Sequence, residues 1–118
     1  MEAAIQQFFG AWAEADSPAR LAAIAAALGD SATYSDPRSD GRISGLEAVA
    51  DYIGHFSANA PGWSATVDAI DEVNGYAKVV VSFGGPGPDG EHMAQQGTYF
   101  VEADSAGKLI ALAGFVWA

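Results

Sequence analysis

The sequence predicts a single α+β domain in which three N-terminal helices pack on one face of a bent antiparallel sheet. Two observations carry this prediction. Apolar residues in the first half of the chain recur at helical spacing, and the second half changes to strands separated by turns rich in glycine. With 118 residues, half of them apolar, the chain is long enough to bury its own core. We therefore expect residues 1–118 to form one domain.

Three segments of the first half carry the apolar stripe of an amphipathic helix, with apolar residues at positions i, i+3, i+4 and i+7. Each stripe lies on one side of its segment, so each helix is expected to bury one face in a common core. The stripes are Ile5, Phe8, Phe9 and Trp12, then Leu21, Ile24, Ala25 and Leu28, then Val49, Tyr52, Ile53 and Phe56.

Capping residues predict where the second and third helices begin and end. Ser17-Pro18 offers an N-cap followed by a proline at the first helical position, and Gly29 is a suitable C-terminal stop. Ser44–Glu47 has the form of a capping box, because a serine is followed three residues later by a glutamate. We therefore expect the third helix to run from Ser44 to about Phe56.

The second half of the chain has the pattern of an antiparallel meander. Asn74-Gly75 is the strongest short signal for a hairpin, and the segment after it is rich in β-branched residues. The glycine-rich segment 84–90 lacks the Lys-Ser/Thr pair of a phosphate-binding loop and is interpreted as a connection between strands. The predicted strands are a short one around Ala32–Tyr34, then Ser64–Val73, Tyr76–Phe83, His92–Ala103 and Lys108–Trp117.

Charge and composition argue against several classes of partner. Fifteen acidic residues face five basic ones, and a net charge of −10 repels phosphate backbones and anionic lipids. We expect no nucleic-acid or membrane partner. The start of the chain lacks the basic residues of a signal peptide, and the longest apolar run, Leu21–Leu28, is too short to cross a bilayer. These features predict a cytoplasmic protein. The absence of cysteine excludes disulfides and thiolate metal sites.

The order and spacing of several landmarks resemble the nuclear-transport-factor-2-like superfamily, in particular its SnoaL-like branch. The resemblance spans nearly the whole chain. It implies a cystatin-like, cone-shaped fold in which a bent sheet wraps a long helix and leaves a pocket at the wide end. It also implies a homodimer, since many members are homodimers. The landmarks are the aromatic first helix, Ala32–Pro37, Gly45–Val49, Pro61–Trp63 and the late hairpin at Asp104–Leu109.

Asp36 is the first candidate catalytic residue. It follows a short strand and precedes Pro37, which fixes the local backbone. The resemblance to ketosteroid isomerase, where an Asp-Pro at the matching place supplies the general base, implies that Asp36 moves a proton at a carbon next to a carbonyl. An aromatic pocket would raise the pKa of such a base by desolvation. The alternative is that Asp36 only starts the turn through Asp40-Gly41.

The remainder of the isomerase pattern matches only in part. The resemblance places Phe8 where ketosteroid isomerase has a tyrosine that donates a hydrogen bond to the substrate oxygen, and phenylalanine has no donor. On a late strand it places Tyr99 near the second donor position, so Tyr99 is the second candidate catalytic residue and would stabilise an enolate. One donor instead of two makes steroid isomerisation itself doubtful and leaves a gentler proton transfer open.

Aromatic residues predict a pocket for a flat, apolar small molecule. An ordinary core is the alternative, and the helical stripes favour it for Phe8, Phe9 and Phe56. The candidate ligand-binding residues are Trp12, Tyr34, Tyr52, Phe56, Trp63 and Trp117.

The two histidines and two of the arginines give weaker signals. His55 lies one turn after Asp51, so an exposed ion pair is expected there, and His92 begins a strand. No ligand-spacing motif supports a metal site, and no cofactor is expected. Arg38 and Arg42 flank the turn after Asp36 and could hold an anionic group, although pairing with surface acids is the default for exposed arginines.

Three functions fit these observations. The first is a cofactor-free isomerase, cyclase or dehydratase that uses Asp36 as acid and base on a small apolar carbonyl compound. The second is a protein that binds a hydrophobic metabolite without chemistry, which the missing donor at Phe8 favours. The third is a structural dimer. Apolar residues on both faces of the late strands, such as Tyr99 and its neighbour Phe100, support the homodimer, because one of each pair must point away from the pocket.

Overall fold

The computed structural model describes residues 1–116 and confirms three helices packed on a sheet. The sheet has six strands, because the short strand Ile43–Ser44, which the sequence did not predict, joins the five expected ones. No helix in this range is long and apolar enough to cross a membrane. The helices are α1 (Glu2–Gly10), α2 (Ser17–Ala27) and α3 (Leu46–Asn59), with a 3₁₀ turn at Ala11–Ala13 between the first two. The strands are β1 (Leu28–Ser35), β2 (Ile43–Ser44), β3 (Ser64–Val73), β4 (Tyr76–Pro86), β5 (His92–Ala103) and β6 (Leu109–Val116).

The sheet is mixed, whereas the sequence predicted an entirely antiparallel one. Its strand order is β2-β1-β6-β5-β4-β3. β1 runs parallel to β6, with Tyr34 opposite Leu112, and the other neighbouring strands are antiparallel. A parallel pair needs a long crossover connection, and α3 together with the β3–β5 meander provides it. This pairing places the end of β1, where Asp36 follows, beside the late strands.

The second helix begins and ends one step earlier than predicted. Asp16 is its N-cap, and the Asp16 Oδ2 accepts a hydrogen bond from the amide of Ala19 at 3.0 Å. Ser17 is already helical, because the carboxylate both satisfies a free amide and interacts favourably with the helix dipole. The helix stops at Ala27, before Gly29, because Leu28 pairs with Leu109 and starts β1.

The third helix lacks the predicted capping box. Ser44 pairs with Thr33 in the short strand β2, so its side chain is not placed as a cap, and α3 begins only at Leu46. Gly45 takes the N-cap position with a φ of 94°, a backbone conformation that favours glycine. The helix continues past Phe56 to Asn59.

The predicted meander is confirmed, with small changes at its ends. β3 and β4 meet at the Asn74-Gly75 turn, where φ is 50° and 84°, as in a type I′ hairpin. β4 extends to Pro86, three residues past Phe83, and β6 begins at Leu109. Trp117, the predicted end of the last strand, lies outside the described residues.

The core fills the space between the helices and the inner face of the sheet. Phe8 and Phe9 are buried there, as expected from the stripe of the first helix. Arg20 is also buried, and its guanidinium donates to the carbonyl oxygen of Glu14 from Nε at 3.0 Å and Nη2 at 2.8 Å. These hydrogen bonds hold the connection that follows the 3₁₀ turn, and they therefore help to fix Trp12 at the edge of the core.

Gly75→Ala should destabilise the domain by about 1–2 kcal/mol, because alanine pays a steric cost in the left-handed conformation that this turn requires. Urea unfolding followed by circular dichroism measures the change. Gly10→Ala is the matched control, since Gly10 is helical with open space beside it, and alanine there should stabilise the protein or leave it unchanged. Equal losses for both variants would contradict this account of the turn.

Candidate functional site

A cavity of about 400 Å³ opens between the 3₁₀ turn, α3 and the ends of β4, β5 and β6. This volume suits a small organic molecule. One side of the wall is aromatic, and Trp12, Phe56, Trp63 and Phe83 form it. The other side carries Asp36, Tyr52 and Tyr99.

The aromatic wall is held by edge-to-face contacts around Trp12. Its ring centroid lies 5.0 Å from that of Phe56 and 5.1 Å from that of Phe83, and Phe56 in turn contacts Trp63 at 6.5 Å. Offset and edge-to-face geometries are the favourable ones for aromatic pairs, so this wall is preformed. Trp12 is 2% exposed, and its Nε1 has no hydrogen-bond partner within residues 1–116.

The carboxylate of Asp36 accepts four hydrogen bonds. Oδ1 accepts from the backbone amides of Arg38 and Ser39, both at 2.8 Å, and from the hydroxyl of Tyr52 at 2.7 Å. Oδ2 accepts from the hydroxyl of Tyr34 at 2.7 Å. The amide contacts form an Asx-type turn, which follows from the position of Asp36 between the end of β1 and Pro37. Asp36 therefore starts a turn and also faces the cavity, so the two alternatives posed by the sequence coexist.

Tyr34 connects Asp36 to Tyr99. The side chain of Tyr34 is 0% exposed, and its hydroxyl lies 2.7 Å from the hydroxyl of Tyr99 on β5. Gly114 on β6 makes room for this arrangement, because a Cβ at that position would lie 2.5 Å from the Tyr99 ring. Asp36, Tyr34, Tyr52 and Tyr99 thus form one hydrogen-bonded group, which we call the Asp36 cluster.

Burial raises the pKa of all three phenols in the Asp36 cluster. Desolvation is the main cause for Tyr34, Tyr52 and Tyr99, since a phenolate would lose its hydration inside the protein. The carboxylate of Asp36 raises each pKa further, because it repels a second negative charge. The phenols are therefore held in their protonated form well above neutral pH.

Charged and polar side chains border the cavity beside the Asp36 cluster. Arg38 is exposed, and its Nη2 donates to Oε1 of Gln95 at 3.1 Å. His55 also lines the cavity, and it forms no ion pair within the described part of the chain, contrary to the expected contact with Asp51. The face of α3 that carries His55 borders the opening instead.

The structure brings most of the predicted site residues together. Asp36, Tyr99, Trp12, Tyr52, Phe56 and Trp63 all line the one cavity. Tyr34 does not, which corrects the expectation that it contacts a ligand directly. Its side chain points into the core, so it supports the wall from behind. Trp117 lies outside the described residues.

The two candidate catalytic residues, Asp36 and Tyr99, both line the cavity and are connected through a third side chain. In the structure the hydroxyl of Tyr34 bridges them, with a 2.7 Å contact to each side chain. The reason is the parallel pairing of β1 with β6, which places Tyr34 one strand away from β5, so that its hydroxyl reaches Tyr99 across Gly114 of β6.

Sequence reasoning missed Phe83 and Gln95 as parts of the cavity wall. Phe83 was assigned to the end of a strand, and the inward parity it shares with Val79 and Val81 would have placed it on the cavity side. Gln95 lies four positions before Tyr99 on β5, so the two side chains lie on the same face of the sheet. Arg38, which the sequence offered as a residue that could hold an anionic group, does line the cavity. The turn that Asp36 holds determines its place.

The stability of the protein should fall as the pH rises past about 10, the ordinary pKa of tyrosine. In the native state the three phenols with a raised pKa stay protonated, while the tyrosines of the unfolded chain ionise. The native state therefore binds more protons than the unfolded state, and the protein loses stability as the pH rises. Urea unfolding at pH 8 and pH 10.5 measures the difference. Tyr34→Phe should cost about 1–3 kcal/mol at pH 8 and reduce the loss between the two pH values. An unchanged pH dependence in Tyr34→Phe would contradict the assignment.

Comparison with known structures identifies the fold. A protein assigned as an isomerase of the SnoaL-like family from Agrobacterium tumefaciens is 21% identical, with a TM-score of 0.84 over 99% of this chain and 97% of its own. A nuclear-transport-factor-2-like protein from an Exiguobacterium species is 16% identical, with a TM-score of 0.76 over 97% and 98% of the two chains. A protein assigned as a SnoaL-like polyketide cyclase from a Jannaschia species is 13% identical, with a TM-score of 0.78 over 98% and 83%.

No functionally curated protein matches the sequence significantly. The family model described as a SnoaL-like domain matches residues 5–112, which is nearly the whole chain. The cavity with its aromatic wall and Asp36 cluster therefore belongs to a member of the SnoaL-like family.

Proposed function

We propose that this protein is a cofactor-free enzyme of the isomerase, cyclase or dehydratase type that acts on a small apolar carbonyl compound, with Asp36 as its acid–base group. The observation that carries the proposal is the position of Asp36 in the wall of an aromatic cavity of about 400 Å³. Relatives of the same fold assigned as an isomerase and as a polyketide cyclase support it.

The hydrogen bonds of Asp36 indicate which oxygen acts as the base. Oδ1 accepts three hydrogen bonds and has no capacity left. Oδ2 accepts one, from Tyr34, so it retains a lone pair. In the proposed reaction Oδ2 takes a proton from the carbon next to the substrate carbonyl, and the electron pair of that C–H bond moves into the enolate. The same oxygen then returns the proton to another position.

Tyr99 would stabilise the enolate oxygen in this scheme. Its hydroxyl contacts Tyr34 in the resting site, so it must turn toward the substrate to donate. This rotation of the Tyr99 hydroxyl breaks one hydrogen bond between neutral groups. A charge-assisted hydrogen bond to the enolate replaces it.

A second candidate function is the binding of a hydrophobic metabolite without chemistry. The engagement of all three phenols within the Asp36 cluster favours it, because the resting site then has no free phenol proton to offer an enolate. Phe8, buried in the core, adds no donor.

We further propose that two copies of the chain pair through the outer face of the sheet. Tyr76, Phe100 and Phe115 share that face and are 55%, 58% and 53% exposed, and the rings of Phe100 and Phe115 contact at 5.9 Å. The strand pairing places them together. Thr98, Phe100 and Glu102 lie on the same face of β5, and Tyr76 is opposite Glu102 while Phe115 is opposite Thr98. A two-fold partner would cover this apolar strip with the same strip of its own.

The catalytic proposal is tested by hydrogen exchange of 2-tetralone, a flat enolisable ketone. In deuterated buffer, NMR should show that the protein accelerates exchange at the carbons next to the carbonyl. Asp36→Asn should reduce this acceleration at least about 100-fold, since it removes the base and nearly preserves the shape. Affinity for 2-tetralone, measured by tryptophan fluorescence, should change much less.

Asp40→Asn is the matched control, because Asp40 is an exposed carboxylate in the same turn and should leave the exchange rate unchanged. If wild type accelerates exchange no more than Asp36→Asn, while both bind 2-tetralone, the protein is a binder and the catalytic proposal is wrong.

The dimer is tested by sedimentation velocity at micromolar concentration. Wild type should sediment as a dimer and Phe100→Glu as a folded monomer, because a charge in the centre of the apolar strip opposes burial. Ala26→Glu on the exposed face of α2 adds the same charge elsewhere and should remain dimeric. A monomeric wild type would contradict the proposal.

A further inference from the structure

The direction of each hydrogen bond in the Asp36 cluster follows from a count of protons. Each tyrosine has one O–H proton, and a carboxylate only accepts. Tyr52 gives its proton to Oδ1 of Asp36, and Tyr34 gives its proton to Oδ2. Tyr34 therefore has no proton for Tyr99, and in the 2.7 Å contact between them Tyr99 must be the donor. All three phenol protons therefore point toward the carboxylate: those of Tyr34 and Tyr52 directly, and that of Tyr99 through Tyr34.

This arrangement determines what the Asp36 cluster offers to a ligand in the cavity. Asp36, Tyr52 and Tyr99 line the cavity, and each can make a further hydrogen bond there only as an acceptor. A ketone oxygen is also an acceptor, so it gains nothing from this part of the wall. A hydroxyl group can donate to it, and a hydrogen bond to a carboxylate is among the stronger ones.

We propose that the Asp36 cluster selects ligands whose polar end is a neutral hydroxyl, namely the enol form of a carbonyl compound or an alcohol or phenol on a flat apolar ring. The inference rests on the proposed function in that both place the polar end of the ligand against Asp36. It adds that the hydroxyl form is held more tightly than the ketone. The enol forms when the proton on Oδ2 passes to the enolate oxygen, which restores the carboxylate as an acceptor. A preference for this enol over the substrate ketone is the differential binding that catalysis requires.

Arg38 argues for a neutral hydroxyl rather than an ammonium group as the donor. Its guanidinium lines the same cavity and lowers the pKa of Tyr52 in opposition to the larger effect of burial, so its positive charge reaches this end. A second cation would be repelled. Arg38 also has donors of its own, but it is exposed and Nη2 is bonded to Gln95, so water competes for the rest.

The test compares three probes on one carbon skeleton: 2-tetralol, its methyl ether and 2-tetralone. The alcohol both donates and accepts, whereas the ether and the ketone only accept. Dissociation constants come from calorimetry or from quenching of tryptophan fluorescence. Wild type should bind the alcohol about tenfold or more tighter than the ether and the ketone. Equal affinities, or tighter binding of the ketone, would overturn the inference.

Tyr34→Phe provides the sharper measurement, because it removes the acceptor to which Tyr99 donates. The proton of Tyr99 then becomes free for a ligand, so the affinity for the ketone should rise relative to the alcohol by about fivefold or more. Tyr76→Phe is the matched control on the outer face, and it should keep the wild-type ratio. An unchanged ratio in folded Tyr34→Phe would also overturn the inference. If Tyr34→Phe does not fold, the wild-type ranking of the three probes decides alone.

These measurements fail separately from the catalytic proposal. Hydrogen exchange of 2-tetralone reports whether Asp36 takes a proton from carbon, and the ranking of probes reports only the direction of the hydrogen bonds. A preference for the alcohol without exchange would support this inference and contradict the catalytic proposal. Hydrogen exchange without a preference for the alcohol would support the catalytic proposal and contradict this inference.

Discussion

The carboxylate of Asp36 is the contact on which the arrangement of the site depends. Its four hydrogen bonds reach the turn after β1, Tyr52 on α3 and Tyr34 in the core. Through Tyr34 they reach Tyr99 on β5. One side chain therefore ties a helix, a turn and two strands together at the place where the cavity opens. Buried polar groups of this kind stabilise only when every member is satisfied, so each partner constrains the others.

This constraint explains why structure and chemistry compete for the same atoms. A carboxylate that organises a turn through Oδ1 has only Oδ2 left for a substrate. Tyr34 takes part of that capacity as well. A general base does not need more, since one lone pair accepts one proton. The same saturation holds the carboxylate at a fixed angle to the cavity, and a fixed geometry is what a proton transfer at carbon requires.

Local patterns predicted the elements, and long-range pairing determined the site. The helical stripes and the Asn74-Gly75 hairpin were predictable because each depends on neighbours in sequence. The parallel pairing of β1 with β6 was not, since it joins residues about 80 positions apart, as Tyr34 and Leu112 show. Ser44 illustrates the same limit at a helix start, where a short strand took the residue that a capping box would use. Asp36 was identified correctly as facing a cavity, while the role of Tyr34 required the register.

The position of Tyr34 changes how the absent donor at Phe8 should be interpreted. Phe8 packs beside Tyr34, with ring centroids 5.8 Å apart, so a tyrosine hydroxyl does reach this neighbourhood from β1. Its proton is committed to Asp36, however, and the group it offers to Tyr99 is a lone pair. The donor expected from the first helix is thus replaced by an acceptor. A site built in this way discriminates between ligands as a hydrogen-bond acceptor. A ligand hydroxyl can donate to it, whereas a carbonyl cannot.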